Sequence, residues 1–574
     1  MIFKNKKTRW IVGLQLVLGV YAGTTSAAET SASYLVRFRD AVDEGAALAL
    51  LEKNDLLFKK HFAEIRVFVA EAKDPKRFSD RGLERLKKSK EVLYAEANGK
   101  LQALEGHPST PPLETGPVAT PNDPMFSQQT QMQRTNVQEA WEISKGSDAV
   151  IVAVSDTGVD RVHPDLANQI WNNPGEIAGN GIDDDQNGKI DDTWGWDFSD
   201  GDADPQDLHG HGTHVAGIIG AEGNNSIGVA GVNWNVRIMA VRFLDAQGSG
   251  STEGGIETIL YAAKNGARLI NASWGGGDAS QALKDAIDFA YSKGTLFIAA
   301  AGNDSSNTDQ TPNYPSCLES EGVISVASSA ADGSLSSFSN YGRTSVDLVA
   351  PGSDVLSTFP NGSWKTLSGT SMATPMVAGV GALILSVNSG LSALDLRNAI
   401  LNAVVARDTY LESISTSGDL NANLALTQFK QGFQIWPSKL SLAPSSSFRF
   451  SVVGATGQLS WSTSDADVAT VDSAGKLTAL KVGKVLVTVA DSAGARASTR
   501  EIEIVESSEG ENPPPIGCGS LPLPPPPGGA SVAHTAGGIL SMLLPALAAL
   551  SVRLGSRVRR GRRKAVERPD ERVG

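Results

Sequence analysis

Cysteine is almost missing from this chain: Cys317 and Cys518 are the only two in 574 residues. They fall in regions of different composition, so a disulfide framework does not hold the fold together. Positive charge is also in deficit, with 50 Lys and Arg against 63 Asp and Glu. The net charge of -13 argues against a general affinity for nucleic acid. Long apolar runs are few: one near each end and one from Val377 to Leu385. What remains is 41% hydrophobic and 20% charged, the balance of a soluble globular protein. Fifty-nine glycines announce many turns, and the length is too great for one ordinary core, so three or more units are expected.

Residues 1–28 read as a secretory signal, with Lys4, Lys6, Lys7 and Arg9 before the apolar Trp10 to Val20 and small residues at Ser26-Ala27-Ala28. The apolar run is too short for a membrane anchor. Residues 31–105 alternate strand-like and helix-like pieces. Strands are predicted at Tyr34 to Phe38, Ile65 to Val69 and Val92 to Tyr94, and helices at Ala46 to Asn54 and Gly82 to Ser89. This suggests an α+β ferredoxin-like unit with three of its four strands readable. Residues 106–122, rich in Pro, Thr and Gly, form an exposed linker open to proteolysis.

Residues 123–428 change pattern. Val150 to Val154, Arg237 to Val241, Arg268 to Ser273 and Leu296 to Ala300 are uninterrupted apolar strands, and helical segments (Thr258 to Asn265, Gln281 to Lys293) precede the last two. Such alternation predicts an α/β fold, a parallel sheet covered on both faces with sites at the carboxyl ends of its strands. Residues 435–505 lose the helices and read as a small β-sandwich in which Trp461 is core. A Pro/Gly-rich spacer covers 506–535. An apolar segment at 536–552 then spans about 26 Å as a helix, near the lower limit for crossing a bilayer. The arginine-rich tail 553–574 favours the cytoplasmic side. An amphipathic helix with a solvated basic tail is the alternative, but the segment shows no polar face.

The chemistry gathers in three stretches. Leu367 to Pro375 sets Ser371 in a tight turn feeding a helix, where N–H groups and positive potential suit an attacking hydroxyl. A serine needs a base, and the base an orienter. His209-Gly210-His211-Gly212-Thr213-His214 offers the base; closely spaced histidines can also hold metal, but His-Glu-x-x-His is missing. Asp156 ends an apolar strand, so the chain order is Asp, His, Ser.

These stretches, Ser155-Asp156-Thr157-Gly158, His211-Gly212-Thr213-His214 and Gly369 to Pro375, resemble the three catalytic motifs of the subtilisin-like serine peptidases. The resemblance implies a serine endopeptidase acting through an acyl-enzyme, with Ser371 as nucleophile, His211 as base and then acid, and Asp156 orienting the imidazole. Asn303 matches the family's oxyanion-hole amide. Gly248, Ser249 and Gly250 with Ser273, Trp274 and Gly275 resemble the two edges that hold substrate as an added strand, which implies broad specificity. Protein and peptide substrates are the implied partners, and the 31–105 unit resembles the family's inhibitory propeptide, cut between Gln102 and Thr120. Three departures stand out. Met376 replaces a histidine outside the triad, Val215 replaces a cysteine of some relatives, and His209 stands where many members carry a small amide. His209 is open to a role in the site or to a bland solvated one. A non-catalytic adhesin or scaffold on the same fold is the rival reading.

Calcium is the one expected cofactor, with no organic group. Asn180 to Asp192 spaces oxygen ligands (Asp183, Asp185, Asn187, Asp191) around a glycine turn as an EF-hand does, although Trp194 stands where the terminal glutamate belongs. An acidic solvated loop is the alternative. Five carboxylates so close repel unless neutralised. A second site follows from the resemblance: Asp123, Asp165 and Asn225 with the carbonyls of Gly223, Ile227 and Val229. Residues 435–505 resemble a bacterial Ig-like domain. The tail resembles C-terminal sorting signals of Gram-negative bacteria, which implies an exported chain held at the surface through the membrane before processing.

Overall fold

A computed structural model of the protein describes residues 33–104 and 120–506. The signal at 1–28, most of the linker, the spacer, the 536–552 helix, the basic tail and Cys518 lie outside the described residues.

Nine strands form the central sheet, in the order Val404–Ala406, Gly418–Leu420, Leu348–Pro351, Val323–Ser329, Leu296–Ala300, Leu269–Ala272, Gly146–Asp156, Asn235–Arg242 and Gly195–Asp197. Only Val404–Ala406 pairs antiparallel, with Gly418–Leu420. The apolar runs are continuous because both faces are covered. Val152, Val154, Ile238, Ala240, Leu296 and Ile298 point into one core with the helices His211–Gly220 and Thr370–Val387. Their neighbours Ala153, Met239, Val241, Phe297 and Ala299 point into a second core with Thr252–Lys264 and Gln281–Ser292. The period of two along each strand distributes alternate residues to the two layers. The long helix Thr370–Val387 is apolar enough to cross a membrane, yet 89% of it is buried here. It is a core helix.

Residues 33–97 form a four-stranded antiparallel sheet with two helices, in the order Leu56–Phe62, Val67–Ala72, Ser33–Phe38, Val92–Ala97. The strand unread in the sequence is Leu56–Phe62. Its alternation is broken by a bulge between Phe58 and Lys60, and Leu57 and Phe58 are exposed at the edge. The second helix starts at Pro75, well before the predicted Gly82, with proline in the first turn, where its missing N–H costs nothing.

One face of this unit (Leu35, Phe62, Ile65, Val67, Val69) completes the second core of the large domain. Charged contacts fix its orientation. Arg37 and Tyr94 reach Asp285 at 2.5 and 2.8 Å, Lys60 reaches Glu257 at 2.5 Å and Glu253 at 3.3 Å, and Glu64 pairs with Lys264. Glu96 accepts from the Gln281 and Ala282 amides and from Ser280, capping a helix of the large domain.

The β-rich unit runs from Gln434–Trp436 to Ile502–Ile504. Its apolar residues Ile435, Trp436, Leu440 and Phe448 continue the first core without a break. Asn398 donates to Arg449 O and Ser451 Oγ across the boundary, at 2.9 and 3.0 Å. Trp461 lies against Gly475, where a Cβ would stand 2.6 Å from the indole, so it packs internally.

Candidate active site

Asp156 is the last residue of its strand and is fully buried. Its Oδ1 accepts from the Thr157 amide at 2.7 Å and from His211 Nδ1 at 2.8 Å. A carboxylate can only accept, so Nδ1 carries the proton and Nε2 is left as the basic nitrogen. His211 opens its helix after Gly210 (φ +107), where a Cβ would strike the Phe359 ring at 2.4 Å. At Gly212 a Cβ would stand 2.1 Å from the Gly158 carbonyl. Gly212 is thus what lets the helix start approach the strand end, while Gly210 makes room for Phe359. His214, one turn on, bridges the Val355 and Lys365 carbonyls at 3.1 and 2.9 Å through Nε2. Burial drives its pKa down to about 3, and the nearby His211 adds to this. Among the described residues no histidine joins a possible metal cluster.

Ser371 sits in the first turn of its helix, and its Oγ bonds the Ser273 carbonyl at 3.0 Å and the Leu104 carbonyl. The Thr370 amide and hydroxyl both donate to Asn303 Oδ1 at 2.9 Å. This fixes the amide's orientation and leaves Nδ2, which is buried and without a partner among the described residues. An unmet buried donor costs about 1–3 kcal/mol, and this one suits an oxygen that becomes negative. Behind it stand Asn271 and Asn340, which the sequence did not flag, and Ser273, which it did. Asn271 donates to Ser273 Oγ, which donates to the Ser371 carbonyl, and Asn340 donates to Ala301 O and accepts from the Asp304 amide. For Asn271 the available signal was a polar side chain in a buried strand; Asn340, in a loop, gave none.

Residues Lys100–Ala103 lie antiparallel between Ser249–Ser251 and Trp274–Gly275. The Ala103 amide donates to Gly248 O at 2.9 Å, and the Leu104 amide to Ser273 O at 3.2 Å. The cleft is therefore filled by the chain's own strand, ending with a carbonyl at Ser371. The candidate substrate residues are all at these edges, but Trp274 contributes backbone alone. Its side chain is fully buried and donates to Ser155 O at 2.9 Å.

The model of the subtilase family matches residues 147–433, and thermitase of Thermoactinomyces vulgaris is 45% identical over 284 residues, 49% of this chain and 91% of thermitase. The chain belongs to the subtilase family. It is a subtilisin-like serine endopeptidase. A thermophilic serine proteinase of Bacillus sp. (strain AK1) is 43% identical over 49% of this chain, and halolysin of Haloferax mediterranei is 35% identical over 62%. The chain spans 63% and 61% of those two proteins. A bacterial Ig-like domain (group 2) matches residues 431–502. Among solved structures, fervidolysin from Fervidobacterium pennivorans, a keratinolytic enzyme related to subtilisin, shares the fold. It covers 80% of this chain and 71% of its own at a TM-score of 0.59 and 21% identity.

In this subtilase the acidic loop differs from the ligand set its sequence suggested. Glu176, which precedes the loop, joins Asp183 and Asp185, their oxygens lying within 4.8 Å of one another. Asp191 stands outside that group, its carboxylate held by the Asn180 and Gly181 amides. Asn187 donates to Asp185 and Asp192. The sequence window missed Glu176 because the loop closes back on residues before it. At the second place Asp123 accepts from the Asn224 and Asn225 amides, and Asp165 from Asn225 Nδ2, the Val229 amide and the Trp364 indole. Burial holds both carboxyls above their usual range despite these donors, and for Asp123 the neighbouring Asp165 adds to it. The segment carrying Gly223, Ile227 and Val229 closes tightly over them. At Gly228 (φ +38) a Cβ would stand 2.3 Å from Asp165 Oδ2.

His214 makes a pH prediction. Its folded pKa, about 3, lies below the ordinary value of roughly 6.5, so the unfolded chain binds the extra proton between those limits. Its contribution is complete above about pH 6.5 and is lost as the pH falls toward 3. Denaturant unfolding of the Ser371→Ala protein, which cannot digest itself, should lose stability by up to about 1.4 kcal/mol per pH unit from this group. Adding His214→Asn should flatten that slope by as much as one proton.

Proposed function

We propose that this subtilase is made as a self-inhibited precursor and exported. In this reading the 31–105 unit supplies the propeptide, which ends at Leu104 because Leu104–Glu105 is the bond first cut. The carrying observation is the strand Lys100–Ala103, paired on both edges, with the Leu104 carbonyl at Ser371 Oγ. Ser371 Oγ attacks such a carbonyl while His211 Nε2 takes its proton. Asp156 holds the imidazole in the one tautomer that can do this and stabilises its charge. Asn303 Nδ2 meets the developing oxyanion, and His211 then protonates the leaving amine. Water released onto the acyl-enzyme completes hydrolysis. Cleavage leaves the new terminus paired in the cleft, which is why the propeptide inhibits.

The pairing at 248–250 and 273–275 uses main-chain groups, which favours extended segments of many sequences. Calcium fits both acidic places, since a divalent cation would offset the clustered and buried carboxylates. The apolar segment 536–552 and the basic tail fit a temporary hold on the membrane of a Gram-negative cell surface.

A fluorophosphonate probe should label the mature protein at Ser371 and fail with His211→Ala. The purified enzyme should begin at Glu105 or later, while Ser371→Ala keeps its propeptide attached. An unlabelled wild type would instead favour the scaffold reading. Asn303→Ala should lower kcat by about 10²–10³, the loss known for the corresponding donor in subtilisin, with KM little changed. Chelator at neutral pH should lower the melting midpoint of Ser371→Ala protein, by about 2.7 kcal/mol of stability if calcium had stood at a hundred times its Kd. An unmoved midpoint rejects both sites.

A further inference from the structure

The sheet lets go of the chain before Asn303 is reached. Ala301 makes the last bond, its amide donating to Val326 O at 3.0 Å, and Gly302 (φ +109) then turns the chain. An amide that must meet a developing charge is useful only when its position is fixed to within about 0.5 Å. The Thr370 amide and hydroxyl hold the Asn303 carboxamide by its oxygen. The turn that carries Asn303 needs a hold of its own.

Asn340 provides it. Its side chain is buried, and both of its polar atoms face the turn 301–306. Nδ2 donates to Ala301 O at 3.0 Å, and Oδ1 accepts from the Asp304 and Ser306 amides, each at 2.9 Å. The Asn340 amide donates to Gly302 O at 2.9 Å. One residue thus brackets Asn303 on both sides. The approach is so close that a Cβ on Gly302 would stand 2.3 Å from Asn340 Nδ2. Asn340 is placed in turn by the sheet, because the Ser328 amide, on the strand Val323–Ser329, donates to the adjoining Ser339 Oγ at 2.9 Å. Asn313 Nδ2 also donates to Ala301 O, at 2.9 Å, so that carbonyl keeps a donor without Asn340. What Asn340 adds is the link from that carbonyl across Asn303 to the two amides beyond it.

We propose that Asn340 is a positioning residue for the oxyanion donor. It holds the turn from which Asn303 Nδ2 meets the developing charge, and so sets how much of that donor's stabilisation is realised. This rests on the reading of Asn303 given above. Because the charge arises only in the transition state, a misplaced donor lowers kcat and leaves KM alone.

The test is a double-mutant cycle on mature enzyme, with active sites counted by the fluorophosphonate probe and one peptide with leucine before the cut. Asn340→Ala should lower kcat about tenfold, a part of the roughly 10²–10³ that losing the donor costs, with KM changed less than about twofold. In the Asn303→Ala enzyme the same substitution should change kcat by less than about twofold, because no donor is left to place. Should Asn340→Ala not fold, judged by the melt of its Ser371→Ala form, Asn340→Ser takes its place in the cycle. A loss of the same factor in both backgrounds, or a kcat unmoved by the change at Asn340, overturns the inference and leaves the Asn303 reading standing. A kcat unmoved by Asn303→Ala overturns that reading, and the inference falls with it.

Discussion

The contact that the molecule is arranged around is the bond between a carboxylate with no exposed surface, Asp156, and His211 Nδ1. A buried carboxylate needs donors, and here Oδ1 takes both of them, one backbone amide and one imidazole. That requirement draws the start of one helix onto the end of one strand, closer than any side chain between them would allow. Gly212, where a Cβ would stand 2.1 Å from the Gly158 carbonyl, is the consequence. Because the sheet is parallel, the carboxyl ends of its other strands fall at the same rim, and they bring Ser273 to the hydroxyl of Ser371 and Asn303 to that of the preceding Thr370.

The same rim is where the leading unit lies. Its last strand occupies the cleft, while its sheet supplies five apolar residues to the second core and its charges meet Asp285, Glu253 and Glu257. Occupation of the cleft and burial are thus one arrangement. The segment that blocks the hydroxyl also covers apolar helix faces that water would otherwise reach.

At the other end, the Ig-like unit is packed as part of the catalytic domain. A continuous apolar core and the buried Asn398 amide join the two. A cavity of about 430 Å³ lies at that seam, lined by Tyr291, Asp347, Arg397, Phe448 and Arg449. None of the triad lines it.

Much of this was legible in order along the chain. The apolar runs showed the parallel sheet, since burial on both faces leaves no alternation to misread. Three short motifs showed the family, because nucleophile, base and orienter each need small neighbours. The strand Leu56–Phe62 was hidden by its exposed edge, and Glu176 by a loop that closes backward. The sequence by itself determined which side chains could move a proton, as that depends on residue type and local spacing. Only the tertiary structure decided what they face. The Leu104 carbonyl at Ser371, the unmet Asn303 donor and the Asn340 side chain closing the turn around it are set between residues far apart in the chain, by packing that no local pattern records.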